Sequence, residues 1–203
     1  MEPWGEFVDV KVNAPEVLYR QLRRARKGSV LIGTVTDPYQ PVEKHYRITR
    51  GCIEALLERQ FSMNILTRSP LVVRDIDLFK QFEDIAVGLS ITTDREDIRK
   101  IFEPHSPSIR SRTDALKTLH ESGIATYAFI GPILPLNPGK IFEMIAGIVD
   151  EVLIDRLNYS NKVKSLYRKA GLAQYLEDTY FIQTASSLKE GLEKEGIPVS
   201  VIF

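Results

Sequence analysis

Short apolar runs alternate with helix-like segments along this 203-residue chain, and this alternation constrains the fold more than any other feature. The runs predict strands over residues 7–12, 30–36, 61–67, 85–91, 125–130, 151–155 and 199–203. Strands that are apolar along most of their length are typical of a parallel sheet covered by helices. The sequence therefore predicts an α/β fold, either an open doubly wound sheet or a full or partial barrel.

Helical spacing of apolar residues predicts the segments between the strands. The first helix should follow Asn13, a residue type that caps helices, with Pro15 in its first turn. Further helices are predicted over residues 48–59, 74–82, 95–102, 109–122 and 141–148, and helical segments over 160–195. Gly123 suits the position just after a helix end. No change in composition marks a second domain.

Composition and charge exclude several classes of protein. A hydrophobic content of 43% is inconsistent with disorder, and a net charge of zero gives no bulk signature of nucleic-acid binding. No apolar run approaches the roughly 20 residues that span a bilayer, and the acidic start lacks a signal-peptide pattern. We expect a cytoplasmic protein with no membrane partner. Cys52 is the only cysteine, so the chain contains no disulfide and no multi-cysteine metal site.

Polar residues follow five of the predicted strands, at the edge where parallel strands place their carboxyl ends. They occur over residues 36–41, 67–70, 90–93, 131–135 and 155–158, and include two carboxylates, Asp37 and Asp155, and one cation, Arg68. One such cluster can simply be a turn or a helix cap. Five at the same edge predict a site for a polar, zwitterionic or nucleoside-like ligand.

Other chemical motifs are absent. The sequence has no GxGxxG, no GxxxxGK[ST] and no GxSxG pattern. The three histidines lack metal-ligand spacing, Cys52 is interpreted as a small buried hydrophobe, and the basic residues between 20 and 27 as a solvated helix face.

Four blocks of sequence together resemble one family. They are GTVTDPYQPVEKHYRITRGCIEALL, ILTRSPLVVRDIDLF, VGLSITTDREDIRKIFEPHSPSIRSRTDALKTLHESGI and AFIGPILP. In this order they are similar to radical S-adenosylmethionine (SAM) proteins related to spore photoproduct lyase, also named DNA repair photolyase-like. The resemblance covers about residues 7–158. The division it suggests is a barrel core over 1–158 and a C-terminal helical segment over 159–203 with a possible last strand.

The resemblance implies a partial parallel (β/α)6 barrel in which SAM and a four-iron–four-sulfur cluster act together. In the family, a CxxxCxxC loop after the first strand holds the cluster, and SAM chelates its open iron. Reductive cleavage of SAM then gives a 5′-deoxyadenosyl radical, which abstracts hydrogen from a substrate. The implied partners are SAM, an electron donor and a substrate that could be nucleic acid or protein.

The resemblance also assigns cofactor-binding residues in this sequence. Thr36 and Asp37 match positions that face the methionine part of SAM, and Arg68 matches a cation that pairs with its carboxylate. Ser90 matches a serine near the ribose hydroxyls. Gly131 and Pro132 match the turn near the adenine. Glu103 and Arg112 match the FEP segment and a following arginine, and are interpreted as a rim or structural pair. No catalytic residue and no metal ligand is assigned.

The sequence departs from the family pattern in lacking CxxxCxxC, which the family places before the stretch matching residues 7–12. We therefore expect the first strand and cluster loop to be missing and the cluster to occur only in a longer form. The sheet would then expose an edge that self-association could cover. Two alternatives stay open: a cluster-less module that binds SAM, a nucleoside or a partner, and a metal-independent enzyme with Asp37 or Asp155 as general base.

Overall fold

The core of the protein is one six-stranded parallel sheet. A computed structural model describes residues 7–203, and its sheet consists of β1 (Ser29–Ile32), β2 (Ser62–Thr67), β3 (Ile85–Ser90), β4 (Ala125–Ile130), β5 (Glu151–Ile154) and β6 (Val199–Val201). The strands neighbour each other strictly in chain order, from β1 to β6. A doubly wound sheet reverses its order at a switch point, so this topology excludes it. Among the described residues β1 and β6 do not pair, and the sheet is a partial barrel.

Helices connect successive strands. They are α1 (Ala14–Leu22), α2 (Glu43–Tyr46), α3 (Ile48–Leu57), α4 (Ile76–Phe79), α5 (Glu96–Phe102), α6 (Ile109–Glu121), α7 (Pro138–Ile145), α8 (Ser160–Lys169) and α9 (Asp178–Lys194). Two short 3-10 helices, Pro70–Asp75 and Ala173–Leu176, complete the connections. Crossovers of one hand in a sequentially ordered sheet place the helices on its outer face.

The burial of β2 shows how the sequence builds this core. Met63, Ile65 and Thr67 are buried, while the residues between them are half-buried, as the alternation of a strand requires. β3 is buried at all four of its last positions, Val87–Ser90, because it lies in the middle of the sheet. Leu116 and Leu119 of α6 are fully buried in the same apolar core.

The structure confirms six of the seven predicted strands and corrects the first. Residues 7–12 form no strand, and Val8 and Val12 are exposed. Strand β1 ends at Ile32, earlier than the predicted 36. Gly33 ends it with φ of +106°, and a Cβ there would overlap the carbonyl oxygen of Leu66, so the chain turns where only glycine fits.

Most of the predicted helices are confirmed, and the bounds or caps of several are corrected. Asn13 occupies the position before α1, but its side chain makes no capping hydrogen bond. Gly123 follows α6 with φ of +79°, as predicted. The helix predicted over 74–82 is shorter and is preceded by the 3-10 helix Pro70–Asp75. The helix predicted from 141 begins at Pro138, because the Asn137 side chain accepts a hydrogen bond from the Gly139 amide.

The C-terminal part of the chain packs onto the same sheet. Strand β6 pairs in parallel with β5, and buried residues of α9, among them Phe181 and Leu188, belong to the main core. At the other edge, Leu31 of β1 is exposed over 53% of its surface, and no strand within residues 7–203 covers it. Between residues 7 and 203, no helix has the length and apolar character needed to cross a membrane.

Candidate functional site

The loops after β1 to β5 enclose a polar cavity of about 290 Å³ at the carboxyl ends of the strands. Five of the six residues assigned from the sequence line it: Asp37, Arg68, Ser90, Gly131 and Pro132. Thr36 does not; it lies in a neighbouring crevice with Val8, Ile32 and Pro38. The fold thus brings together side chains that are up to 95 positions apart in the sequence.

Asp37 fastens the loop after β1 to the end of β2. Its Oδ1 accepts hydrogen bonds from the Tyr39 amide (2.8 Å) and the Thr67 hydroxyl (2.6 Å), and its Oδ2 accepts one from the Arg68 amide (2.7 Å). A carboxylate has about four acceptor positions, so three of them are already used within the chain. Asp37 therefore shapes the cavity wall and retains one acceptor position for a ligand.

Tyr39 fixes the same loop through its buried side chain. Its ring is buried, and its hydroxyl donates to Oδ2 of Asp75 (3.0 Å), whose side chain is completely buried. Asp75 also accepts from Arg50 (2.9 Å) and twice from Arg74 (2.8 and 2.9 Å). Burial would raise the pKa of Asp75, but these three donors outweigh burial and hold the pKa below its usual value.

Glu43, also buried, completes this ion network. Its carboxylate accepts from Arg74 (2.9 Å) and from the Thr49 amide (3.0 Å), and the Thr49 hydroxyl in turn donates to the carbonyl of Pro38. We call Tyr39, Glu43, Arg50, Arg74 and Asp75 the anchor network. It ties α2, α3 and the 3-10 helix after β2 to the loop that follows β1.

Within the described residues, the Arg68 side chain forms a hydrogen bond through only one of its three nitrogens. Its Nε donates to Glu103 (2.9 Å), and its terminal nitrogens have no hydrogen-bond partner within residues 7–203. Glu103 is fixed in turn by Arg112, at 2.6 Å, whose fully buried side chain also donates to the carbonyls of Ser90 and Pro107. Burial raises the pKa of Glu103, but Arg112 and Arg68 outweigh it and lower the pKa. Arg68 therefore presents a charged, oriented and unsatisfied group to the cavity.

The opposite wall is built from β3 and β4. Ser90 is buried at the end of β3, and the cis peptide Gly131–Pro132 follows β4. A Cβ at Gly131 would overlap the ring of Phe129, which also lines the cavity. The Phe129 ring therefore packs directly against Gly131, where a larger residue would not fit.

A family model described as the Radical SAM superfamily matches residues 4–148. The chain belongs to the radical SAM superfamily. An uncharacterised protein of Methanocaldococcus jannaschii is 44% identical over 132 residues, which is 65% of this chain and 49% of that protein. The chain spans about half the length of the curated relatives it matches.

Solved radical SAM structures share the fold. A double mutant of spore photoproduct lyase with bound AdoMet and dinucleoside spore photoproduct aligns with a TM-score of 0.63 at 14% identity, over 95% of this chain and 67% of that chain. SuiB of Streptococcus suis, bound to S-adenosylmethionine, aligns with a TM-score of 0.62 at 12% identity, over 98% of this chain and 45% of its own. At these identities the likeness establishes the partial-barrel fold.

The described residues do not fit an iron–sulfur cluster. Residues 7–203 contain no group of three or more His, Cys, Asp or Glu side chains placed to hold a metal ion. Cys52 lies half-buried on α3, where burial raises the pKa of its thiol. A cluster needs thiolates, so its ligands have no counterpart among these residues.

The anchor network was not predicted from the sequence, whereas residues 155–158, one of the predicted polar clusters, do line the cavity. Arg156, Leu157 and Asn158 line the cavity, and Arg156 donates to Asp178 (3.3 Å) while its guanidinium lies 5.9 Å from the centre of the Phe203 ring. A usable signal for the network was the adjacent charged pair Arg74–Asp75, which follows the apolar residues Leu71–Val73. A buried pair of this kind requires partners elsewhere in the chain.

Proposed function

We propose that this chain forms the SAM-binding part of a radical SAM enzyme. The observation that carries the proposal is Arg68, which lines the cavity with two terminal nitrogens free of partners in the described structure. A guanidinium held at Nε by Glu103 has a fixed direction and can form a charge-assisted pair with a carboxylate. SAM carries such a carboxylate on its methionine part.

The remaining cavity residues fit the other groups of SAM. The fourth acceptor position of Asp37 suits the ammonium group; Thr36 precedes it on the same loop but does not line this cavity. Ser90 suits the ribose hydroxyls, and the wall formed by Gly131 and Pro132 suits the adenine ring. The chain would thus bind and orient a zwitterion and shield it from water between the loops that follow five strands.

Bound SAM supplies a 5′-deoxyadenosyl radical when it is cleaved reductively. We propose that the four-iron–four-sulfur cluster and the electron donor act in a longer form of the protein, because the described residues offer no ligands for the cluster. The support for a nucleic-acid substrate is that the aligned spore photoproduct lyase holds a dinucleoside. The zero net charge of the chain adds no electrostatic support.

A titration of SAM followed by calorimetry tests the proposal. Arg68→Gln should weaken SAM binding about 10-fold to 150-fold, since it removes one charge-assisted contact worth roughly 1.5–3 kcal/mol. The matched control is Arg110→Gln, because Arg110 is an exposed arginine of α6 outside the cavity. Its affinity should stay within twofold of the wild type. Equal effects of the two variants, or no binding by the wild type at millimolar SAM, would contradict the proposal.

A further inference from the structure

The connection from α1 to β1 concentrates positive charge at one end of the molecule. Residues 20–27 contain four arginines, one lysine and no acid, in a chain whose net charge is zero. The rest of the chain therefore carries a compensating charge of −5. Because β1 begins at Ser29 and all six strands are parallel, this connection lies at the amino ends of the strands. The cavity proposed to bind SAM lies at the opposite end of the sheet.

Three of these arginines line an open hollow of about 940 Å³ beside α1. They are Arg20, Arg23 and Arg24, and all three are exposed. Arg20 lies 3.6 Å from Glu16, whereas Arg23 and Arg24 form no ion pair with any residue between 7 and 203. A guanidinium presents several N–H donors that match the oxygens of a phosphate. The hollow therefore has the charge, the donors and the room for more than one phosphate group.

A sixth cation reaches the same place from another element. Arg59 follows α3, and its terminal nitrogen donates to the carbonyl of Leu22 at the end of α1 (2.9 Å). This bond satisfies one of the carbonyls that a helix leaves free at its end. It also holds a second, exposed guanidinium-bearing element against the basic run. The positive charge is thus a feature of the folded surface as well as of one segment.

An exposed aromatic ring lies beside the arginines. Tyr19 is exposed over 48% of its surface, and Arg23, four residues later, still has helical φ and ψ, so the two lie on one face of α1. Proteins that bind single-stranded nucleic acid combine such rings, on which bases stack, with cations that follow the phosphates. Between residues 13 and 30, Tyr19 is the one large apolar or aromatic side chain that is exposed, which is little for insertion into a lipid surface.

Helix α8 is also basic but is built differently. It carries Lys162, Lys164, Arg168 and Lys169 and no acid. The Lys162 ammonium lies 5.0 Å from the centre of the exposed Tyr159 ring, so a cation of the chain itself already occupies that ring. Tyr19 has no such contact in the described part of the chain. Residues of α8 are therefore matched controls for charge.

We propose that Tyr19, residues 20–27 and Arg59 form a docking surface for single-stranded nucleic acid, with phosphates on the arginines and an unpaired base on the Tyr19 ring. We call it the basic surface. It lies away from the SAM cavity, so it holds a strand without being the place of the reaction. Its binding does not depend on SAM, and the two proposals can fail separately.

Fluorescence anisotropy with a labelled single-stranded DNA of about 20 nucleotides, longer than one typical binding site, tests the charges. The wild type should bind it, more weakly as salt increases. The double variant Arg23→Gln, Arg24→Gln should lower the slope of log Kd against log salt concentration by about 1.4, since each phosphate contact to a single strand contributes about 0.7. The double variant Arg168→Gln, Lys169→Gln removes the same charge from exposed positions of α8 and should leave the slope unchanged.

Tyr19→Leu tests the aromatic contact. It should weaken binding of the single strand about fivefold or more, the loss of one stacked base, and leave binding of a duplex of the same sequence unchanged. No binding by the wild type at about 50 mM salt, or equal effects of the two double variants, overturns the proposal. Binding to phosphatidylserine vesicles without binding to the oligonucleotide would identify a membrane surface and also overturn it. Failure of SAM to bind overturns the proposed function and leaves the basic surface standing.

Discussion

Arg74 and Arg68 lie six residues apart after the same strand, yet they belong to two differently built regions. Arg74 is part of the anchor network, and each of its side-chain nitrogens donates to Glu43 or Asp75 at 2.8–3.0 Å. Arg68 lies at the cavity and uses Nε alone. Both carry the same charge after the same strand. What distinguishes them is the number of donors that the chain itself has satisfied.

This difference separates a structural role from a binding role. Satisfied ions in a buried network stabilise the loop geometry and have nothing left to offer a ligand. Arg68 is positioned through Glu103 and Arg112 but remains available to a ligand. The anchor network should therefore govern stability, and Arg68 should govern affinity.

Asp75→Ala should have the largest effect on stability. It removes the shared, fully buried acceptor of Tyr39, Arg50 and Arg74, and leaves Arg74 paired with Glu43 and Arg50 paired with the exposed Asp77. We expect a loss of about 3–5 kcal/mol in the free energy of unfolding. Urea denaturation followed by circular dichroism measures it. A loss below about 1 kcal/mol would show that the network is not structural.

Asp75 should also contribute to the pH dependence of folding stability. Because the pKa of Asp75 is lowered on folding, its contribution to stability is present above the ordinary aspartate pKa of about 3.9 and is lost as the pH falls through the folded value. The stability of the wild type should therefore decrease below about pH 4. Asp75→Asn should show a shallower decrease over that range, and an unchanged slope would contradict the assignment.

Gly33→Ala should have the second-largest effect on stability. A Cβ at this position meets the Leu66 carbonyl, and φ of +106° lies outside the range that alanine adopts readily. Strain of this kind costs about 1–3 kcal/mol, and the overlap adds to it. Gly147→Ala is a control with positive φ but open space around the Cβ. Thermal unfolding should show a clearly larger loss for Gly33→Ala than for the control.

Tyr39→Phe should have a small effect, about 1 kcal/mol. It removes one hydrogen bond to Asp75 but keeps the buried ring, and Oδ2 of Asp75 still accepts from Arg74. Urea denaturation of Tyr39→Phe and Asp75→Ala under the same conditions compares their losses in the free energy of unfolding. A loss as large as that of Asp75→Ala would mean that the hydroxyl, and not the ion pairs, holds the loop.

Arg68→Gln should change stability least of all. The side chain is partly exposed and contributes one ion pair, so the change in unfolding free energy should stay within about 1 kcal/mol. Its effect should be on SAM affinity. A variant that unfolds like Asp75→Ala would place Arg68 in the same structural class as Arg74 and remove the contrast on which the site assignment depends.

Most of the fold could be predicted from the sequence, because the apolar pattern that indicates a strand is local. Six apolar runs correspond to the six strands, since burial of a parallel sheet imposes continuous apolarity on each strand. Residues 7–12 show an alternating pattern, but alternation makes a strand only where a neighbour pairs with it. None of the six strands of the described sheet includes these residues.

The site was less predictable because its contacts are long-range. Polar residues at strand ends identified Asp37, Arg68 and Ser90, because parallel strands converge at one edge. The partner of Tyr39 lies 36 positions away at Asp75, and no local pattern encodes that pairing.

The most direct test of the contrast is to compare SAM with decarboxylated SAM, which keeps the sulfonium and the amine but lacks the carboxylate. Calorimetric titrations of wild type and Arg68→Gln with both ligands isolate the proposed contact. The wild type should bind SAM about 10-fold to 150-fold more tightly than the decarboxylated form, and Arg68→Gln should bind the two nearly equally. A preference for SAM that survives Arg68→Gln would show that Arg68 does not bind the carboxylate.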